Sequence, residues 1–147
     1  MPGNDVPFSP APVAPAPAPP APTADVVVAA IPVLRVADAE RSVRFYCGRL
    51  AFRQDWWHQA GPEEPATVSV SRGGASVILT ERTDVGRDGQ VCVWTIELAT
   101  LVVEWGGHED VVLEHGPTAM PWGLTEIAFR DPDGNRIRVV QPTGCQT

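Results

Sequence analysis

Few side chains in this sequence are of the types that carry out covalent or metal chemistry. The three histidines, His58, His108 and His115, show neither HxH nor HxxxH spacing, and isolated histidines are more often packed or surface residues than ligands. The three cysteines include no CxxC pair, which fits neither a zinc site nor a disulfide framework. All eleven basic residues are arginines, which excludes lysine Schiff-base chemistry. With no GxSxG motif and no glycine-rich phosphate loop, the residue types favour binding over catalysis.

Tryptophan is the residue type best suited to binding, with five in 147 residues. Trp105 closes a short apolar helical stripe, which predicts core packing. Adjacent strand residues point to opposite faces, so Trp56 and Trp57 cannot both be core residues, and one of them is expected to line a cleft or interface. Trp122 lies between a proline and a glycine in a predicted loop, where a large aromatic is rarely pure core.

The charge balance restricts the class of partner. The chain has 11 basic and 18 acidic residues, a formal net charge of −7. This balance argues against nucleic acid, which is bound through clustered Lys and Arg, and suits a cationic ligand. Asp110 and Glu126 are possible carboxylate ligands for a metal, but they are better interpreted as ordinary solvated acids.

No segment approaches the roughly 18 apolar residues of a membrane span, so we expect a soluble, cytoplasmic protein with no membrane partner.

Proline separates a tail from a folded domain. Nine of the sixteen prolines lie in the first 23 residues, a composition typical of an extended polyproline spacer. A proline-rich ligand for an SH3-like module is the alternative, but no basic residue flanks a PxxP motif here. We therefore predict a disordered Pro/Ala-rich tail over residues 1–24 and one domain over residues 25–147.

The elements that must position these residues follow from the periodicity. A helix after Asp38 is predicted by the stripe of Val43, Tyr46, Cys47 and Leu50. Each half of the domain is predicted to have the order β-α-β-β-β. The predicted strands are Val26–Val36, Phe52–His58, Thr67–Arg72 and Ala75–Glu81 in the first half, then Val91–Leu98, Val111–Glu114, Leu124–Arg130 and Arg136–Val140, with a second helix over Ala99–Trp105. The fold class is α+β, with tandem βαβββ modules forming a curled mixed sheet.

The two ends of the domain carry a family resemblance. Ile31–Asp38 (IPVLRVAD), followed by Ser42–Tyr46 (SVRFY) and Leu50–Phe52 (LAF), is similar to the opening of vicinal oxygen chelate domains, the glyoxalase, bleomycin resistance and dioxygenase superfamily. The closing segment Pro121–Asn135 (PWGLTEIAFRDPDGN) resembles bleomycin resistance proteins in particular. The match covers about residues 28 to 141 in the expected order. Ala51 stands where the family usually has glycine.

The resemblance implies a fold, a dimer and a test for metal chemistry. Members with the glyoxalase/bleomycin-resistance fold form homodimers with drug sites between protomers, often with exchanged N-terminal strands, so Pro32 is a candidate hinge for strand exchange; the alternative is an ordinary edge-strand proline. In enzymes of the family, His or Glu ligands occupy inward strand positions. Here those positions correspond to Ile31, a residue near Val91, and Arg138, none of which can bind a divalent cation. The resemblance therefore favours a protein with no metal and no cofactor.

These observations lead to a non-catalytic antibiotic-binding protein as the first hypothesis. By the family match, Trp122 takes the place of a loop tryptophan that contacts the drug, and Trp94 that of an aromatic lining the groove. A bleomycin-family glycopeptide, with planar rings and a cationic tail, would be sequestered in an acidic, Trp-lined groove, conferring antibiotic resistance. The predicted ligand-binding residues are Asp55, Trp56, Trp94, Trp122 and Glu126. The alternatives are a metal-dependent glyoxalase-like lyase, isomerase or dioxygenase with displaced ligands, and a binding protein for a different planar molecule.

Overall fold

The first half of the chain folds in the predicted order. A computed structural model describes residues 25–144; the predicted disorder of residues 1–24 and Cys145 lie outside the described residues. The elements of this half are β1 (Val33–Arg35), α1 (Ala39–Gly48), β2 (Arg53–Gln59), β3 (Ala66–Arg72) and β4 (Ala75–Thr80). The long strand predicted over residues 26–36 is wrong except at β1. Residues 26–31 are exposed and form no strand, because a β-branched run becomes a strand only where a partner strand receives its hydrogen bonds.

Helix α1 begins where the sequence predicts. The Asp38 side chain accepts hydrogen bonds from the backbone N–H groups of Glu40 (3.0 Å) and Arg41 (3.3 Å), which satisfies two donors of the first turn. The predicted apolar stripe faces the core: Tyr46 and Leu50 are buried in it, and Val43 and Cys47 pack against it half-buried. Phe45, which the stripe does not include, is buried as well. The Phe45 ring lies edge-on to that of Tyr46, with their centroids 5.6 Å apart.

The second half repeats the order with different boundaries. It contains β5 (Gln90–Trp94), α2 (Leu98–Gly106), β6 (His115–Ala119), β7 (Leu124–Arg130) and β8 (Arg136–Pro142). The strand predicted at Val111–Glu114 is wrong, since pairing with β7 begins at His115. Strand β5 ends at Trp94 rather than Leu98, because residues 95–97 connect it to α2, which begins at Leu98. None of the helices in residues 25–144 is long and apolar enough to cross a membrane.

The strands form two mixed sheets that are not closed. The first sheet has the order β1-β4-β3-β2 and the second β5-β8-β7-β6. In each, the first strand is parallel to its neighbour and the other pairs are antiparallel. The α+β class and the tandem βαβββ arrangement are confirmed. The parallel pairs explain why each half has one helix, since a parallel neighbour requires a crossover connection.

One hydrophobic core is shared by the two halves. Phe129 of β7 packs edge-on against Trp105 of α2 (centroids 5.6 Å apart) and lies 6.5 Å from Phe45 of α1. The Trp105 indole N–H donates to the carbonyl of Leu50 (3.3 Å). Core packing is thus confirmed for Trp105. Each sheet turns one face toward this core, and we call the opposite face its outer face.

Candidate ligand-binding site

The outer face of the second sheet carries the most exposed strand tryptophan. Trp94 pairs with Val140 of β8, which pairs with Glu126 of β7, so these three residues form one row across the sheet. Val91, with the opposite orientation along β5, is buried in the core, because successive strand residues alternate between faces. The Trp94 side chain is 64% exposed, so its ring is available for stacking.

Beside Trp94, the outer face holds a buried ion pair. Glu126 is only 3% exposed, and its Oε1 accepts from Nη2 (2.6 Å) and Nε (2.9 Å) of Arg138. His115 Nε2 lies 3.7 Å from the other carboxylate oxygen. The hydrogen bond to Glu126 raises the pKa of Arg138 above its ordinary value, despite the opposing effect of burial. The interpretation of Glu126 as a solvated acid is therefore wrong, because its carboxylate is buried and paired with Arg138. Asp110, by contrast, is exposed as expected.

The outer face of the first sheet carries Trp56. Its row across the sheet runs through Ser69 and Ile78 to Val33. Trp56 is half-buried on this face, whereas Trp57 is buried in the core. The prediction that the adjacent tryptophans separate to opposite faces is confirmed.

Asp55 lies at an irregularity in the same sheet. The register of β2 against β3 shifts between Gln54 and Trp56, and a bulged residue is re-aimed relative to its neighbours. The Asp55 side chain is only 5% exposed. It accepts from the hydroxyl groups of Ser71 (2.9 Å) and Ser69 (3.4 Å) and from Nε of Arg53 (3.1 Å). Like Glu126, this carboxylate is already satisfied within the chain.

Trp122 stands on the hairpin connection between β6 and β7. The backbone N–H of Met120 donates to the carbonyl of Leu124 (2.8 Å), and that of Gly123 to Met120 (3.1 Å). Gly123 has φ +90°, a conformation that glycine adopts without strain. The turn projects Trp122 outward, where it is 62% exposed.

The chain alone brings only part of the predicted set together. Trp94 and Glu126 share the outer face of the second sheet, whereas Asp55 and Trp56 belong to the first sheet. The predicted residues are thus divided between two sheets.

Arg138 and His115 are neighbours of Glu126 that are absent from the predicted site. The signal for Arg138 is the short turn between β7 and β8, which sets a register in which Ala128 faces Arg138 and Glu126 lies diagonal to it. His115 reaches this face through the pairing of β6 with β7, where it faces Ala128. Opposite charges at diagonal positions on one face of a hairpin are within reach of each other.

The positions that hold metal ligands in the family's enzymes do not fit a metal here. Ile31 is apolar and precedes β1, Val91 points into the core, and Arg138 is a cation already bound to Glu126. Within residues 25–144, no group of three His, Cys, Asp or Glu side chains is placed to hold a metal ion. A divalent cation at Glu126 would have to displace the Arg138 guanidinium, which is itself cationic.

The pair of βαβββ modules is the arrangement of elements expected of a vicinal oxygen chelate fold. A family model described as "Glyoxalase superfamily protein" matches residues 23–145, and the chain belongs to this superfamily. No curated protein matches the chain.

Solved structures share the fold at low sequence identity. A bleomycin resistance determinant encoded on transposon Tn5 matches with a TM-score of 0.66 and 22% identity, over 79% of this chain and 98% of its own. A bleomycin-binding protein complexed with bleomycin matches with a TM-score of 0.64 and 22% identity, over 78% and 98% of the two chains. An antibiotic-binding protein from Streptomyces matches with a TM-score of 0.64 and 24% identity, over 77% and 93%. At these identities the likeness establishes the fold.

Proposed function

We propose that this protein is a non-catalytic antibiotic-binding protein. As a homodimer it sequesters a bleomycin-family glycopeptide between an outer sheet face of one chain and that of the other, and so confers resistance in the cytoplasm. The observation that carries the proposal is the exposed ring of Trp94 beside a polar surface whose Glu126–Arg138 pair is closed on itself. Such a surface offers an aromatic platform and no group for metal-assisted chemistry.

The exposure of the tryptophans supports a ligand or partner on these faces. Trp94 and Trp122 are 64% and 62% exposed, and leaving large aromatic surface in water is costly. A buried aromatic removes about 150 to 250 Å² from water, at about 25 cal/mol per Å². Two or three such contacts match in gross terms the roughly 8 kcal/mol of a micromolar complex, before several kcal/mol are lost to association.

The electrostatic contribution differs from direct ion pairing. Asp55 and Glu126 are buried and bound to Arg53 and Arg138, so neither carboxylate offers a free partner to a cationic tail. The net charge of −7 acts instead through the long-range field, which raises the rate of encounter with a cation and weakens with salt. Affinity then rests mainly on aromatic stacking.

The fold of a bleomycin-binding protein supports the ligand class, since that protein, in complex with bleomycin, has the same fold over most of both chains.

The proposal also includes Pro32 as the hinge for strand exchange between the two chains of the dimer. Pro32 directly precedes β1, and its carbonyl accepts from the N–H of Ile78 (3.0 Å). Because β1 is an edge strand, its pairing partner can be exchanged between chains without disturbing the centre of the sheet.

The test is a titration of the protein with metal-free bleomycin. Binding is measured by calorimetry and, separately, by quenching of the intrinsic tryptophan fluorescence. We expect saturable binding with one drug molecule per chain, and a dimer mass by sedimentation. Trp94→Ala should weaken binding about tenfold, equal to about 1.4 kcal/mol, because the stacking surface is lost. Trp122→Ala and Trp56→Ala should weaken it in the same direction.

The matched control is Val103→Ala on α2, an 80% exposed apolar residue away from both outer sheet faces, which should leave affinity unchanged. Absence of heat and of quenching at high micromolar drug would reject bleomycin as the ligand. Stoichiometric nickel, zinc or iron in the purified protein would instead support a metal-dependent enzyme and overturn the proposal.

A further inference from the structure

A cavity of about 200 Å³ lies where the two halves of the chain meet. Arg35, at the end of β1, and Arg87, in the connection between β4 and β5, both line it. Glu81 and Asp133 contribute to the same wall. The tryptophans and carboxylates of the candidate ligand-binding site are not among its lining residues, so this cavity is a separate feature.

The two arginines of this cavity differ from most others in the chain. Eight of the eleven arginines form ion pairs with carboxylates. Within residues 25–144, Arg35, Arg44 and Arg87 have no such partner. In a chain of net charge −7, unpaired cations are the exception, and two of the three line one cavity.

The carboxylates of the cavity are already used by other donors. Glu81 accepts from the backbone N–H groups of Ala39 (2.8 Å) and Ala66 (3.0 Å). Asp133 accepts from a backbone N–H (2.9 Å) and from the guanidinium of Arg41 (2.7 Å). Both carboxylates therefore already have donors other than the two cavity arginines.

One buried side chain fixes both of the segments that carry these arginines. Asn135, which is fully buried, donates from Nδ2 to the carbonyl of Arg35 (3.0 Å). Its Oδ1 accepts from the N–H of Gly89 (2.9 Å), two residues beyond Arg87. Gly89 packs so closely that an added Cβ would lie 2.7 Å from Cδ2 of Leu34. Asn135 therefore holds the backbone of Arg35 beside the segment that follows Arg87.

We propose that this cavity binds a small oxyanion, a phosphate or carboxylate group, between the guanidinium groups of Arg35 and Arg87. The planar guanidinium fork matches oxyanion geometry and forms short charge-assisted hydrogen bonds. Because Glu81 and Asp133 are already bound by other donors, a bound anion would supply the counter-charge that the two guanidinium groups lack. The volume accommodates one such group with its first water molecules.

The test is calorimetric titration of the full-length protein with inorganic phosphate at low ionic strength, with sodium chloride as the reference salt. We expect saturable binding of one phosphate per chain and an increase in the thermal unfolding temperature. Arg35→Gln and Arg87→Gln should each weaken binding about tenfold, since each removes one of two charged forks. Parallel titrations with acetate distinguish a carboxylate ligand from a phosphate.

The matched control is Arg44→Gln, which removes the third unpaired arginine from the exposed side of α1. The proposal is overturned if neither anion binds saturably, or if Arg44→Gln weakens binding as much as the other two changes, because a diffuse charge effect would then suffice. Bleomycin binding should be unchanged in Arg87→Gln, so failure of one proposal leaves the other intact.

Discussion

The Tyr46 hydroxyl joins the two halves of the chain through a buried hydrogen bond. It donates to Oδ2 of Asp131 (2.8 Å), which also accepts from Nδ2 of Asn135 (3.0 Å). Burial, followed by the charge of Asp131, raises the pKa of Tyr46 well above its ordinary value. The folded protein therefore holds this proton more tightly than the unfolded chain.

Stability is expected to be intact below about pH 10, the pKa of tyrosine in an unfolded chain, and to fall as the pH rises above it. Tyr46→Phe should cost about 2 kcal/mol near neutral pH, since Asp131 loses a donor. The same substitution should also make the free energy of unfolding fall less steeply as the pH rises above about 10. Urea unfolding across the pH range measures both effects, and phenolate absorbance reports this residue directly because the chain has only one tyrosine. An equally steep decline in Tyr46→Phe would contradict the assignment.

Each outer sheet face is a surface on which strand register decides which charges meet. In the β7–β8 hairpin, Glu126 and Arg138 are twelve positions apart in sequence but diagonal across the sheet. Glu126 is buried whereas Arg138 is 22% exposed. Removing either partner leaves the other uncompensated, and the cost is greater for the buried carboxylate.

Arg138→Gln should therefore destabilise the protein by about 3 kcal/mol, whereas adding Glu126→Gln should recover most of that loss. A double-mutant cycle by urea unfolding should give a coupling free energy of about 1 to 3 kcal/mol. The control cycle uses Arg82 and Asp84, an ion pair with both side chains more than half exposed, where we expect no measurable coupling. Additive effects at Glu126 and Arg138 would show that the pair does not stabilise the hairpin.

At the scale of the whole molecule, hydrogen bonds and aromatic packing connect the two modules. Arg72 of β3 forms two hydrogen bonds with the Glu104 carboxylate on α2 (2.8 and 3.1 Å) and donates to the carbonyl of Leu50 (2.9 Å). Trp105 donates to the same carbonyl and packs on Phe129. Separating the two halves would expose the apolar surface of these rings to water and would break these hydrogen bonds.

We expect a single cooperative unfolding transition that is reported identically by tryptophan fluorescence and far-UV circular dichroism. Trp105→Phe should lower the free energy of unfolding by about 2 kcal/mol, because it removes ring volume and the hydrogen bond to Leu50. Both probes should report the same decrease. Val103→Ala, on an exposed position of the same helix, should change stability by less than about 0.5 kcal/mol. Two separate transitions would mean that the modules fold independently.

Local patterns were sufficient for the order of the elements and for several boundaries. The helix start after Asp38, the strand Leu124–Arg130 and the boundary between the strands that end at Arg72 and begin at Ala75 all match the structure, because each depends on residues close in sequence. The superfamily was also evident from the two terminal segments. Alternation along β2 separated Trp56 from Trp57, because adjacent side chains on a strand must point to opposite faces.

Only the tertiary structure decided which segments pair as strands and which charged side chains form ion pairs. It left residues 26–31 without a strand, paired Glu126 with Arg138, and left Arg35 and Arg87 unpaired in one cavity. Periodicity is a property of neighbouring residues, whereas ion pairing, burial and strand partnership depend on residues tens of positions apart. The sequence by itself therefore determined the family and the modules, and long-range packing determined which side chains remain free to bind a ligand.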